Sequence, residues 1–280
     1  MKFLIRREFL LLAVGLALAS GLGALVSGSR ARESAGASRA LAQGADQSVP
    51  VLGVKVVKTY PHDPHAFTQG LEYFEGFLYE STGETGQSSV RKVELETGRV
   101  LQKADLGAEY FGEGLTIFRG KIYQLTWLSK VGFVYDLRSF KKLREFHFYG
   151  EGWGLAHDGE HLILSDGTNT LRYLDPETAA VVKTVEVYAG KQAVTNLNEL
   201  EYIGDAIYAN VWHAKRIARI DPASGQVRAW IDCSAIAEKE ENGPEGVLNG
   251  IAFDAARHRL FITGKDWAHL LEIHVEGLNF

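Results

Sequence analysis

One short pattern recurs five times along this chain and constrains its fold more than any other feature. Each copy opens on a Gly-Leu-like pair, passes through a tiny turn and continues into an aliphatic or aromatic run. The copies run from Gly70-Leu71 to Leu78-Tyr79-Glu80, from Gly114-Leu115 to Ile122-Tyr123-Gln124, and from Gly154-Leu155 to Leu162-Ile163-Leu164. Two more run from Glu199-Leu200 to Ile207-Tyr208-Ala209 and from Gly250-Ile251 to Leu260-Phe261-Ile262. Their starts lie 44, 40, 45 and 51 residues apart. That is the period of a four-stranded propeller blade rather than of a helical solenoid.

The first repeat divides into four strands: Gly70 to Phe74, Phe77 to Ser81, Ser89 to Leu95 and Arg99 to Ala104. Glu75-Gly76, Arg119-Gly120, Asp158-Gly159 and Gly204-Asp205 read as two-residue hairpin turns between first and second strands. Asp175-Pro176-Glu177-Thr178 and Asp221-Pro222-Ala223-Ser224-Gly225 read as side-chain-capped turns between third and fourth strands. The fifth repeat ends after Leu270 to Val275 with no fourth strand, while Val54 to Tyr60 precedes the first repeat unpaired. The economical solution is an all-β, five-bladed propeller with four antiparallel strands per blade, closed by this N-terminal strand completing the last blade. Ser234 to Gly246 is an insertion, with a short helix expected over Ala235 to Glu241.

With 280 residues, 46% of them hydrophobic, the chain can bury a large core, and 30 Gly against 6 Pro suits strands joined by tight turns. A net charge of −5 gives no basic surface for nucleic acid. The single cysteine, Cys233, cannot form an internal disulfide and reads as a small buried hydrophobe. The absence of CxxC and HExxH motifs argues against zinc chemistry of those types.

At the N-terminus, Lys2, Arg6 and Arg7 precede an uncharged run from Phe9 to Ser29, the pattern of an export signal. Arg6-Arg7 resembles a twin-arginine signal. Cleavage after Ala40-Leu41-Ala42 would leave Gln43 first; alternatively, the 21-residue run stays as a membrane anchor. The expected organisation is residues 1–42 as signal or anchor plus linker, and 43–280 as a propeller catalytic domain in the periplasm or outside the cell. Without the first 42 residues the chain carries 24 Lys/Arg against 33 Asp/Glu. That acidic balance mildly favours cationic ligands.

In an up-and-down blade, the loop entering the first strand and the loop leaving the second share one face of the ring. Phe67, Gln69, Phe111, Glu113, Trp153, Asn198, Glu199 and Asn249 enter first strands, whereas Glu80, Trp127, Asp166, Trp212, Lys265 and Trp267 leave second strands. Aromatic, acidic, amide and ammonium groups thus converge at one mouth of the axial channel. Such aromatics either pack blades or line a site. Glu113 stands apart because Gly112 and Gly114 let its backbone approach closely. Lys265 is either a solvated cation or a holder of a carbonyl or oxyanion. His62 and His65 near the same face form a potential two-histidine metal pair. Three functional classes fit this mouth: an acid–base enzyme, a calcium-dependent lactonase or esterase using Glu113, Asp166 and Asn198, or a non-catalytic peptide-binding propeller.

Nine segments in series then carry a family resemblance spanning roughly residues 52 to 275. They are Tyr60-Pro61-His62-Asp63-Pro64 with Phe67-Thr68-Gln69-Gly70-Leu71, Glu80-Ser81-Thr82-Gly83, Phe111-Gly112-Glu113-Gly114-Leu115, Gln124-Leu125-Thr126-Trp127, Gly152-Trp153-Gly154-Leu155, Leu197-Asn198-Glu199-Leu200-Glu201, Ala209-Asn210-Val211-Trp212, Leu248-Asn249-Gly250-Ile251 and Thr263-Gly264-Lys265. The chain resembles the plant and bacterial type of glutaminyl-peptide cyclotransferase. The resemblance implies a five-bladed propeller that acts without metal or cofactor on peptides or proteins with N-terminal glutamine, closing that residue to pyroglutamate with release of ammonia; a monomer is expected. The resemblance further implies Glu113 as acid/base and Asn198 and Lys265 as pocket residues, and the chemistry of the reaction makes Lys265 or Asn198 a suitable oxyanion donor. Phe67, Gln69, Phe111, Trp127, Trp153 and Trp212 would line the substrate pocket. Asp266 departs from the pattern, where an apolar or aromatic residue is expected after the lysine.

Overall fold

A sheet whose strands are apolar on both faces must be covered on both faces, and a ring of such sheets does this for every member. The computed structural model describes residues 48–280. The expected export segment, the expected Ala40-Leu41-Ala42 site and the expected boundary at 42/43 lie outside the described residues. Blade 1 comprises Thr68–Phe74, Phe77–Thr82, Ser89–Glu94 and Val100–Asp105. Blade 2 comprises Gly112–Phe118, Lys121–Thr126, Val131–Asp136 and Lys142–His147. Blade 3 comprises Leu155–His157, Leu162–Leu164, Thr170–Leu174 and Val181–Glu186. Blade 4 comprises Leu197–Ile203, Ala206–Val211, Arg216–Ile220 and Val227–Asp232. Blade 5 comprises Leu248–Asp254, Arg259–Gly264 and His269–Val275, completed by Val54–Pro61.

The closing strand pairs antiparallel with His269–Val275, from Val54 opposite Val275 to Pro61 opposite His269. The expected ring closure is therefore the observed one. A further step, not expected from the sequence pattern, precedes it. Val51–Leu52 pairs in parallel with Trp230 and Ile231 on the outer edge of blade 4, and the Trp230 N–H donates to the Pro50 carbonyl. The chain thus ties blade 4 to blade 5 on its way to closing the ring. The expected short helix is present as Ser234–Glu240. At the turns, Glu75-Gly76 and Arg119-Gly120 have positive φ at both residues, as tight hairpins require.

Five hydrophobic clusters fill the five blade junctions. Alternation sends successive residues of one strand to opposite junctions: Leu78 packs with Phe261 of blade 5, and Tyr79 with Ile122 of blade 2. Cys233 is buried between blades 4 and 5.

Around the axis the innermost strands do not pair with one another, and buried carboxylates join them instead. Glu199 of blade 4 accepts from the Leu71 N–H of blade 1 at 3.2 Å and the Ile251 N–H of blade 5 at 2.9 Å. Glu201 accepts from the Phe253 N–H, linking blades 4 and 5 again. Glu72 of blade 1 accepts from the Thr116 hydroxyl and the Ile117 N–H of blade 2 at 2.8 and 2.7 Å. Burial raises the Glu72 carboxyl to about 7 against the partial offset of these two donors, and raises Glu199 and Glu201 well above the usual carboxylate range. A carboxyl whose folded pKa is raised contributes stability fully present below the unfolded pKa and lost as pH rises through the folded one. For Glu72 that window runs from the ordinary carboxylate range to about 7. Urea denaturation of wild type and Glu72→Gln at about pH 5 and pH 8 is therefore expected to show wild type losing stability relative to the variant at the higher pH.

Candidate functional site at the mouth of the axial channel

The innermost strands of four blades each begin with a break in register. These β-bulges lie between Thr68 and Gly70, Gly112 and Leu115, Leu197 and Leu200, and Leu248 and Ile251. Gln69, Glu113, Asn198 and Asn249 fall inside them. A bulge re-aims a side chain that regular pleating would fix, and bulges are enriched beside active sites for this reason. Gln69, Glu113, Asn198 and Asn249 are at most 4% exposed. The Asn249 amide donates to Gln69 Oε1 at 3.2 Å and to the Thr68 carbonyl at 3.0 Å. Asn198 Oδ1 is buried without a hydrogen-bond partner, an acceptor left for a ligand. The glycines flanking Glu113 are needed sterically. A Cβ at Gly112 would lie 2.7 Å from the Thr82 carbonyl oxygen, and one at Gly114 would lie 2.5 Å from the Leu155 nitrogen.

Over these polar groups runs an arc of half-buried rings. Phe67 meets Phe111 edge-on at 6.0 Å, Phe111 meets Trp127 at 5.8 Å, and Trp153 meets Trp212 at 5.6 Å. The step from Trp127 to Trp153 is made by Glu151, whose carboxylate accepts both indole N–H groups, at 2.6 and 2.9 Å. Lys265 comes from blade 5, with Nζ 4.7 Å from the centre of the Phe67 ring. All five blades thus contribute to one rim. Sequence reading missed Glu151, although Gly150-Glu151-Gly152 repeats the glycine–glutamate–glycine pattern of residues 112–114.

Several residues expected at this mouth are engaged elsewhere. Trp267 is fully buried between blades 4 and 5, its indole donating to the Gly246 carbonyl. The cause is local: Asp266 has φ of +58°, which folds Trp267 back over Gly264. Asp is among the residues that tolerate this conformation, which accounts for a short polar side chain where an apolar one was expected. Glu80 lies below the rim and is 2% exposed, holding Arg91, His62 and Thr68. Asp166 accepts from the Arg172 guanidinium and the Thr168 hydroxyl, so the three oxygen ligands expected for calcium do not form one free set. His62 has both ring nitrogens occupied, by the Trp267 carbonyl and Glu80, which removes it from a metal pair with His65.

A propeller with a bulge-presented carboxylate and amides beneath an aromatic rim belongs to the class of small-molecule or peptide-end sites built on a rigid ring. Comparison with known proteins narrows that class. The glutamine cyclotransferase family profile matches residues 28–275. A glutaminyl-peptide cyclotransferase of Arabidopsis thaliana is 46% identical over 237 residues, covering 82% of this chain and 74% of that protein. The crystal structure of Myxococcus xanthus glutaminyl cyclase superimposes with a TM-score of 0.76 at 37% identity, covering 81% of this chain and 97% of that one. The chain belongs to the glutamine cyclotransferase family.

Gly83 supports the rim from below: a Cβ there would lie 2.5 Å from Phe111 and 3.0 Å from Phe67. Gly83→Ala is expected to displace the Phe67–Phe111 pair without unfolding the ring. The check is a changed near-ultraviolet circular dichroism spectrum with an unchanged far-ultraviolet one.

Proposed function

We propose that this chain is a glutaminyl-peptide cyclotransferase. It closes the N-terminal glutamine of peptides and proteins to pyroglutamate and releases ammonia. The observation that carries this reading is the 46% identity to such an enzyme across 237 residues, in a chain whose Glu113 is buried in a bulge at the mouth. The bond formed joins the substrate α-nitrogen to its side-chain carbonyl carbon, and the bond broken is the one from that carbon to the amide nitrogen. The α-amine attacks as the neutral base, and with a free pKa near ~7.7–8 it needs little help to reach that form. Because nucleophile and electrophile share one residue, most of the catalytic work is holding that residue in a ring-like conformer. The half-buried arc of Phe67, Phe111, Trp127, Trp153 and Trp212 suits this work, with Gln69 beneath it.

Glu113 takes the proton released by the attacking amine and returns it to the departing nitrogen, so that ammonia rather than amide ion leaves. Lys265 donates to the oxygen that gains charge in the tetrahedral intermediate. The unpartnered Asn198 Oδ1 accepts from a substrate N–H, and the amide NH2 of the same side chain is a second candidate donor to that oxygen. The calcium-dependent lactonase reading is not favoured: the family is a cyclotransferase family, and Asp166 is held by Arg172. The acidic balance of the propeller and the Arg6-Arg7 segment with its following apolar run support a protein exported to act on peptides outside the cytoplasm.

Glu113→Gln keeps the shape of the side chain and removes the base. Ammonia release from a glutamine-initiated peptide is expected to fall by ~10²–10⁴-fold, the usual worth of general acid–base help. Circular dichroism should remain that of wild type. Near-normal release from the folded variant would exclude Glu113 as the proton carrier.

A further inference from the structure

His62 lies where the ring closes, between the closing strand and the first blade, and the chemistry at Glu113 makes no use of it. Its side chain is 5% exposed. Nδ1 sits 2.7 Å from the Trp267 carbonyl oxygen, and Nε2 sits 3.0 Å from Glu80 Oε1. Both neighbours are acceptors, and a neutral imidazole has only one N–H, so only the imidazolium satisfies both contacts. The surrounding charges fit that form. Glu80 also accepts from Arg91 and from the Thr68 hydroxyl at 2.7 Å, and Arg91 donates to Asp63 at 2.8 Å. With His62 charged, the chain His62–Glu80–Arg91–Asp63 alternates in sign and sums to zero.

The two contacts of His62 join two parts of the rim. Trp267 ends the turn that carries Lys265, and Thr68 stands between Phe67 and Gln69. The same two segments are stitched by backbone bonds from His62 N–H to the Ala268 carbonyl and from Asp266 N–H to the Ala66 carbonyl, both near 2.9 Å. We propose that His62 is a positioning residue whose imidazolium locks the Lys265 turn of blade 5 to the Phe67–Gln69 segment of blade 1, so that the pocket is fully assembled only while His62 is protonated. This rests on the reading of Lys265 and Phe67 as pocket residues.

Loss of the proton leaves one ring nitrogen with its lone pair facing an acceptor oxygen. Water cannot readily substitute at a side chain this buried, so the contact is lost rather than replaced. The charged groups facing His62 are Glu80 and Arg91 from the second and third strands of blade 1, Asp63 from its own segment, and Asp266 from the blade 5 turn. Burial opposes the charge on His62, but Glu80 and the Trp267 carbonyl outweigh it and hold the imidazole above the ordinary histidine range. Burial likewise opposes the charge on Glu80, but Arg91 and His62 hold it well below the carboxylate range. A raised histidine stabilises fully below its unfolded pKa, and that stabilisation is lost as pH rises through the folded one. The lock therefore opens on the alkaline side.

The test is a pH titration of ¹⁵N-labelled wild type by long-range ¹H–¹⁵N spectroscopy, with backbone amides followed in parallel. The result expected is a His62 ring protonated at both nitrogens at neutral pH, titrating above about 6.5. The amides of Lys265 and Asp266 should shift with the same midpoint. In ammonia release from a glutamine-initiated peptide, wild type should lose kcat/KM above that midpoint. His62→Gln should have a roughly tenfold lower kcat at neutral pH, on the scale of one lost buried hydrogen bond, with the alkaline fall absent. His65→Gln, on the exposed part of the same segment, should keep the wild-type profile. A His62 that titrates at or below about 6.5, or Lys265 and Asp266 amides indifferent to its midpoint, overturns the proposal. Both readings are made without substrate and without a variant, so they stand apart from any failure of the cyclotransferase reading, which would appear as wild type releasing no ammonia.

Discussion

The described fold depends on a ring that is closed without a covalent link, by strand pairing and by the packing of Tyr60. Val54–Pro61 supplies the outer strand of blade 5 and seals the edge of His269–Val275. An unsealed strand there would leave a row of unpaired backbone groups and uncover the junction between blades 5 and 1, which contains Tyr60, Leu71 and Phe261. Within eight residues of Pro61 the chain delivers Phe67 and Gln69 to the mouth, with His62 held by Glu80 beneath them. Closure and site assembly therefore share one segment. The parallel bridge of Val51–Leu52 to Trp230-Ile231 reinforces it by fixing the chain to blade 4 before it reaches blade 5.

The second constraint lies at the axis, where five innermost strands meet without pairing. A bulge at the mouth end of four of them interrupts the ladder within the blade as well. These breaks are what turn Gln69, Glu113, Asn198 and Asn249 out of the regular pleat. Carboxylates lower on the axis compensate, with Glu72, Glu199 and Glu201 accepting backbone N–H groups from other blades. The rim is irregular where the proposed site residues stand, and the axis beneath it is tied together by charge-capable groups that the proposed reaction does not use.

The propeller was legible in the sequence because its signals are local. Gly-Leu starts, two-residue turns and Asp-initiated turns each act within a few residues, and their period reports blade size directly. The missing fourth strand of the last repeat and the spare strand before the first were also local facts, and pairing them needed only the rule that edges are covered. Contacts between distant parts of the chain were less visible. His62 and Trp267 are separated by 205 positions, and neither residue type announces the other. Trp267 was misplaced for a related reason: its position after a second strand implied the mouth, but the positive φ at Asp266 turns it into the core. Glu151 left a signal, since its glycine flanks match those of Glu113, but the repeat logic searched strand ends and passed over it.

For the cyclisation proposed at this rim, the same geometry also gives a reason for product to leave. Glu151 occupies the indole N–H groups of Trp127 and Trp153, so those rings are held by a carboxylate rather than by the ligand. What remains for the substrate is largely aromatic face and edge. Such surfaces attract an arriving ammonium by ~0.5–2 kcal/mol, more as water is excluded. The reacting form is the neutral amine, which shares that surface only while the chain is held in its ring-like conformer. Once the lactam closes, the nitrogen is an amide and can no longer carry a charge at ordinary pH. The cation–π attraction that favoured binding has then vanished for chemical reasons, while ammonia departs separately. With Glu113 in the proposed role of proton carrier, a cage of rings above it distinguishes substrate from product by the charge that the reaction itself removes.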